Sequence, residues 1–122
     1  MTLPLTSETA GQVAELMPTS SNVEVLTGVS GHFSAAHRDF ATGEMHGHTW
    51  LVTAWFKPPY RSDARRHKTD LDRLLATWDH TTMPDDLARG EDIARAVATL
   101  DNVVEVEIRR PTEGFHARWR KA

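Results

Sequence analysis

A chain of 122 residues is long enough for one domain with a modest core, and a hydrophobic fraction of 39% points to some burial between subunits. Lys+Arg 14 against Asp+Glu 17 leaves a formal charge of -3, so there is no basic footprint for nucleic acid, and the absence of cysteine removes disulfides, thiolate ligands and a cysteine nucleophile. The apolar runs are too short to cross a bilayer and no basic-then-apolar signal pattern opens the chain; a soluble cytoplasmic protein with no membrane partner is expected.

Residues 1–21 read as an N-terminal extension, with a short helix placing Ala10, Val13, Leu16 and Met17 on one side before Pro18 ends it. The domain then spans residues 22–122. From Asn22 to His37 the chain alternates as a strand, with Gly28 and Gly31 marking a bulge or a bend. A polar turn with Gly43 leads to a second strand from about His46 to Lys57, stopped by Pro58-Pro59. Both faces of that strand carry apolar residues: Trp50, Val52, Ala54 and Phe56 on one, Leu51 and Trp55 on the other. A hairpin alone cannot bury both; helices on one side and another subunit on the other would do so.

After a polar connection from Tyr60 to Arg66, Thr69 or Asp70 caps a helix in which Leu71, Leu74, Leu75 and Trp78 recur at helical spacing. A polar loop from Asp79 to Asp86 precedes a second helix from about Glu91 to Leu100, with Ile93, Val97 and Leu100 inward. Val103 to Arg110 alternates as a strand, with Val104, Val106 and Ile108 on one face and Glu105, Glu107 and Arg109 on the other. Pro111–Gly114 turns the chain, and Phe115 to Arg120 returns as a strand. The order is β-β-α-α-β-β, an α+β class with an antiparallel sheet.

Three groups of residues carry chemistry. His46 and His48 share one face of a strand, Gly47 between them allows close approach to the backbone, and His37 ends the preceding strand. Three neutral imidazoles suit zinc and leave a fourth position open for water or substrate; iron and nickel fit such a set as well. Asp79-His80 lies just past a helix C-terminus, where a carboxylate beside an imidazole makes a general acid or base, or else an exposed helix end. Glu44, two residues before His46, is a proton-transfer group, a metal ligand, a partner to one, or a solvated turn residue. Glu107, Arg109 and His116 fall on the polar face of the last two strands.

Phe33-Ser34-Ala35-Ala36-His37, His46-Gly47-His48, Thr69-Asp70-Leu71 and Trp78-Asp79-His80, in this element order, resemble the 6-pyruvoyl-tetrahydropterin synthase superfamily, which includes the 6-carboxy-tetrahydropterin synthases. The resemblance covers roughly residues 22–120. It implies the tunnelling fold: subunits joined through their sheets into a barrel-shaped trimer, often stacked as a hexamer, with sites between subunits. It further implies zinc on His37, His46 and His48, with Asp79 and His80 as the catalytic pair. Two positions depart from the family pattern. The cysteine that precedes His-Gly-His is absent, leaving Glu44 as the candidate for its role. The pterin-anchoring glutamate is replaced by Arg109, a side chain built to grip a carboxylate or phosphate.

The expectation is a zinc-dependent lyase or cyclase acting on a small, anionic molecule other than the usual pterin, with Arg109 and Glu107 on the substrate. An orthodox pterin enzyme, with Glu44 in place of cysteine and Glu107 or Glu113 recognising the ring, is the second reading. A non-catalytic metal-containing binding protein is the third.

Overall fold

The structure, a computed structural model, describes residues 25–57 and 64–122. The N-terminal extension, the start of the first strand at residues 22–24 and the Pro58-Pro59 stop lie outside the described residues. Four strands form one antiparallel sheet in the order β1 (Thr27–Arg38), β2 (Met45–Phe56), β3 (Val103–Arg110) and β4 (Phe115–Arg120). Helices α1 (Ala64–Ala76) and α2 (Gly90–Val97) join β2 to β3, with a short 3-10 turn at Asp85–Leu87. Among the described residues no helix is long and apolar enough to cross a membrane.

The β1–β2 hairpin is set by its turn. Asp39 Oδ1 accepts from the backbone N–H of Ala41 at 2.7 Å and of Thr42 at 3.2 Å, and Gly43 takes a φ of 75°. That left-handed conformation carries no Cβ penalty in glycine. The turn aligns His37 with His46 and Ala35 with His48. A slip of one residue would send every side chain to the opposite face, so the turn decides where the histidines point.

One face of the sheet is the core. Phe33, Trp50, Val52, Ala54, Phe56, Val106 and Ile108 are buried there against Leu71 and Leu75 of α1 and Ile93 and Val97 of α2, so both helices cover the same face. The other face keeps polar ladders. Ser30 and Thr53 hydroxyls share a hydrogen bond of 2.8 Å, Arg118 donates to Glu107 at 2.7 Å, and Arg120 donates to Glu105 at 2.8 Å.

Four details differ from the sequence expectation. The β1 register runs unbroken past both glycines. Each is instead a close approach: a Cβ on Gly28 would come within 2.5 Å of the Trp55 ring, and one on Gly31 within 2.8 Å of Leu75. The irregularity lies at Trp55/Phe56, where Phe56 pairs with Val103, so Val103 is buried and Val104 is half-buried. Helix α1 starts at Ala64, not at a Thr69 or Asp70 cap. Thr69 behaves as an interior residue, its hydroxyl donating back to the Arg65 carbonyl at 2.8 Å. Helix α2 ends at Val97, because the next turn tightens to bonds three residues apart: Thr99 N–H to Ala96 at 3.2 Å and Leu100 N–H to Val97 at 3.1 Å.

Candidate metal and ligand site

His37, His46 and His48 lie on the core face at the turn end of the β1–β2 hairpin. Their ring centroids are 4.7 Å apart for His37–His48 and 6.1 Å for His46–His48. Imidazoles bound tetrahedrally at a zinc–nitrogen distance of about 2.0–2.1 Å have centroids roughly 5 Å apart, so the spacing suits a shared ion. The ring directions are less gathered. His46 Nε2 faces Asp39 Oδ2 at 3.7 Å, and among the described residues no group of three or more His, Asp or Glu side chains is arranged around one point as a metal site.

The surroundings of the rings favour ligation nonetheless. Both nitrogens of His37 are buried with no hydrogen-bond partner among the described residues. His48 Nδ1 is 2.6 Å from Glu113 Oε1, which leaves Nε2 as the outward nitrogen, the usual carboxylate–imidazole arrangement behind a metal. Burial, then the nearby charges of His48 and Arg110, holds the His37 imidazolium form below the ordinary histidine range. Burial and Arg110 do the same for His48 against the opposing pull of Glu113. Both rings thereby favour the neutral form in which a lone pair is available.

Asp79 and His80 are brought together along the free edge of β1. The Ser34 N–H donates to Asp79 Oδ1 at 2.9 Å, and His80 Nδ1 lies 2.8 Å from Asp79 Oδ2. The Ser34 bond first, and His80 second among the lowering causes, keep the Asp79 carboxyl below its usual range. The loop is stitched to the strand by His80 N–H to Ser34 at 2.6 Å, Ala36 N–H to Thr81 at 3.0 Å and Met83 N–H to Ala36 at 2.7 Å. His80 is held at a φ of 59°, unusual for a residue with a side chain, while its ring stays 84% exposed. Strain of that kind is retained where it aims a group. His80 borders a shallow depression with Gly47, His48 and Thr49.

The remaining sequence candidates sit apart from the histidines. Glu44 lies in the turn before β2 rather than on the strand; it is exposed, and its carboxylate has no hydrogen bond or ion pair among the described residues. Arg109 and Glu107 are on the face of β3 opposite the histidines, where Arg109 Nε is 3.6 Å from Glu107 Oε1. The arginine on the histidine face is Arg110. Its guanidinium lies 5.1 Å from the Trp50 ring and 5.2 Å from the Phe115 ring, and its Nη2 donates to Glu113 at 3.2 Å. Glu113 also accepts from Thr112. Strand alternation holds the signal for Arg110: counting from the buried Ile108, residue 110 shares its face and residue 109 does not.

A cavity of about 330 Å³ opens beside His37, between the sheet end and the start of α2. Trp50, Arg110, Arg89, Phe40 and Phe115 line it with His37. Gly90 lets α2 come this close to the sheet: a Cβ there would stand 3.2 Å from Ala117 Cβ.

A four-stranded antiparallel sheet with two helices on one face and a histidine cluster at the end of its first hairpin defines an α+β fold of the tunnelling type. The chain is similar to the solved structure of 6-pyruvoyl tetrahydropterin synthase from Caenorhabditis elegans, with a TM-score of 0.64 and 17% identity, covering 80% of this chain and 96% of that one. No protein-family model matches the chain, and no curated protein sequence does.

Proposed function

We propose that this chain is a pterin synthase-like enzyme: a zinc-dependent lyase or cyclase of a biosynthetic pathway, acting on a small anionic molecule at sites shared between subunits of a homo-oligomer. The observation that carries the reading is His37, with both ring nitrogens buried and without a hydrogen-bond partner among the described residues, beside His48 and opposite His46. An imidazole whose two nitrogens are both buried and unbonded is costly unless something beyond the described residues completes it.

His37, His46 and His48 are the residues that would hold the ion. When bound, zinc polarises a substrate carbonyl or hydroxyl oxygen as a Lewis acid. The chain's own groups do the rest. Glu113 fixes the tautomer of His48 by accepting at Nδ1. Asp79, anchored by the Ser34 N–H, orients His80 through Nδ1, so that Nε2 is the atom that takes or gives a proton. Glu44 is exposed in the turn, with no ion pair among the described residues, and would take the proton-transfer role of the missing cysteine. Arg109 and Glu107 would meet substrate only across a subunit boundary, because they face away from the histidines of their own chain.

Tag-free protein should carry about one zinc per chain by elemental analysis. His37→Ala should lose it, whereas His80→Ala should keep the metal and lose about 100-fold or more in turnover. Metal-free protein that cannot be loaded would sink the reading. Incubation with dihydroneopterin triphosphate separates the orthodox alternative, which requires a pterin product.

A further inference from the structure

Among the described residues, the buried side-chain nitrogens with no partner belong to three residues: His37, Trp50 Nε1 and Arg110 Nε. All three residues line the one cavity of about 330 Å³. Unpaired buried polar atoms are rare in folded proteins, and their gathering around a single hollow marks it as built for something absent from the protein chain. The chemistry of the donors narrows the occupant. An indole N–H and a guanidinium N–H only donate, so whatever completes Trp50 and Arg110 must accept.

We propose that this cavity binds a small planar molecule through an oxyanion group, carboxylate or phosphate, held by Arg110 and Trp50. The proposal deepens the enzyme reading, because His37 is common to both sites. Arg110 stands with its guanidinium close to the Trp50 and Phe115 rings, which restrict its freedom and leave its fork preformed. Glu113 occupies only Nη2, and that carboxylate is shared with Thr112 and His48. Arg89, over the Phe40 ring at 4.7 Å, adds a second guanidinium with no carboxylate partner among the described residues. Glu91 is the one carboxylate in the lining, against these two arginines. The start of α2 at Gly90 lies in the same wall and contributes in the same direction. Aromatic walls at Trp50, Phe40 and Phe115 suit a flat ring, and the volume is that of a small-ligand pocket, enough for a two-ring compound.

The test is calorimetric titration of the full chain with 2-naphthoate, 2-naphthyl phosphate and the neutral 2-naphthylmethanol. One of the two anions should bind at least about tenfold more tightly than the alcohol, and the tighter one assigns the group. Arg110→Gln should weaken that anion by about tenfold or more, and Arg89→Gln by less. Arg95→Gln, whose arginine pairs with Asp92 elsewhere on α2, should leave binding unchanged. Equal affinity for alcohol and anions, or undiminished anion binding by a folded Arg110→Gln variant, overturns the proposal. If Arg110→Gln does not fold, the anion–alcohol comparison on the native chain decides alone. Running each titration on zinc-loaded and chelator-treated protein separates the two readings. Arg110-dependent anion binding by a chain that holds no zinc upholds the cavity and fails the metal site; zinc without such binding does the reverse.

Discussion

Glu113 links the two halves of the site, because a single carboxylate serves Thr112, Arg110 and His48. The Thr112 hydroxyl first, then Arg110 and His48, hold its carboxyl down to about 2 from an ordinary 4.5. A depressed folded value means that the ionised form favours the fold. The contribution is full above pH 4.5 and is lost as pH falls from there toward 2. Urea unfolding of the native chain should therefore weaken across that window, while Glu113→Gln should be less stable than native above it and show a flatter acid limb. Parallel curves for the two proteins would refute the assignment. At this scale the sequence was informative about residue types and less so about faces. His37, His46 and His48 were legible because strand alternation and a short turn place them together. Arg110 is legible only from strand alternation counted from the buried Ile108, whereas the register of the family motif points to its neighbour Arg109. Glu113 was visible only as an alternative, because turn residues have no period from which a direction can be read.

The elements were legible where apolar periodicity was clean. β3 and β4 fall at Val103–Arg110 and Phe115–Arg120, as the alternation and the turn residues indicate. The start of α1 was not legible, for a physical reason. Its first two turns are Arg65, Arg66, Lys68 and Thr69 around a single buried residue, His67, which is 5% exposed and stacks on Phe56 with centroids 3.9 Å apart and planes at 13°. A histidine at that position does not register as part of an apolar stripe, although it occupies the stripe's next place four residues before Leu71. The energetic weight of that turn is measurable. His67→Ala should cost about 2–3 kcal/mol in urea unfolding, since it removes a buried ring from a stacked pair. Lys68→Ala, which removes an exposed pair with Asp72, should stay within about 0.5 kcal/mol. Equal, small effects would mean that the helix begins after His67 in solution.

At the scale of the molecule, both outer edges of the sheet keep backbone groups with no partner among the described residues. Ser34 and Ala36 use their outward backbone groups on the Asp79–Met83 loop, and by strand alternation Gly28, Ser30 and His32 face the same edge. No backbone partner for those three on that side occurs among the described residues, and the outer edge of β4 is likewise unpaired. Open edges of this kind invite pairing with further copies, and a twisted sheet extended edge to edge closes into a barrel. Leu51 and Trp55, half-buried on the face away from the helices, would then line the inside of that barrel. Rotational closure would place residues of neighbouring copies beside the loop that carries His80, while Arg109 and Glu107, on the same face as Leu51, would point into the barrel. The expected state is a trimer or a pair of stacked trimers by light scattering. Ser30→Pro is the discriminating variant. The Ser30 N–H points outward, so proline removes no backbone bond to β2 and only the exposed hydroxyl pair with Thr53, yet it removes a donor at the edge and narrows the strand's fit to a neighbour. It should shift the chain toward monomer while far-ultraviolet circular dichroism keeps the native spectrum. It should also lower turnover in proportion to the lost assembly, leaving the zinc content of each chain unchanged. A native chain that is already monomeric at working concentration, or an assembly indifferent to proline at this edge, would remove the shared-site arrangement.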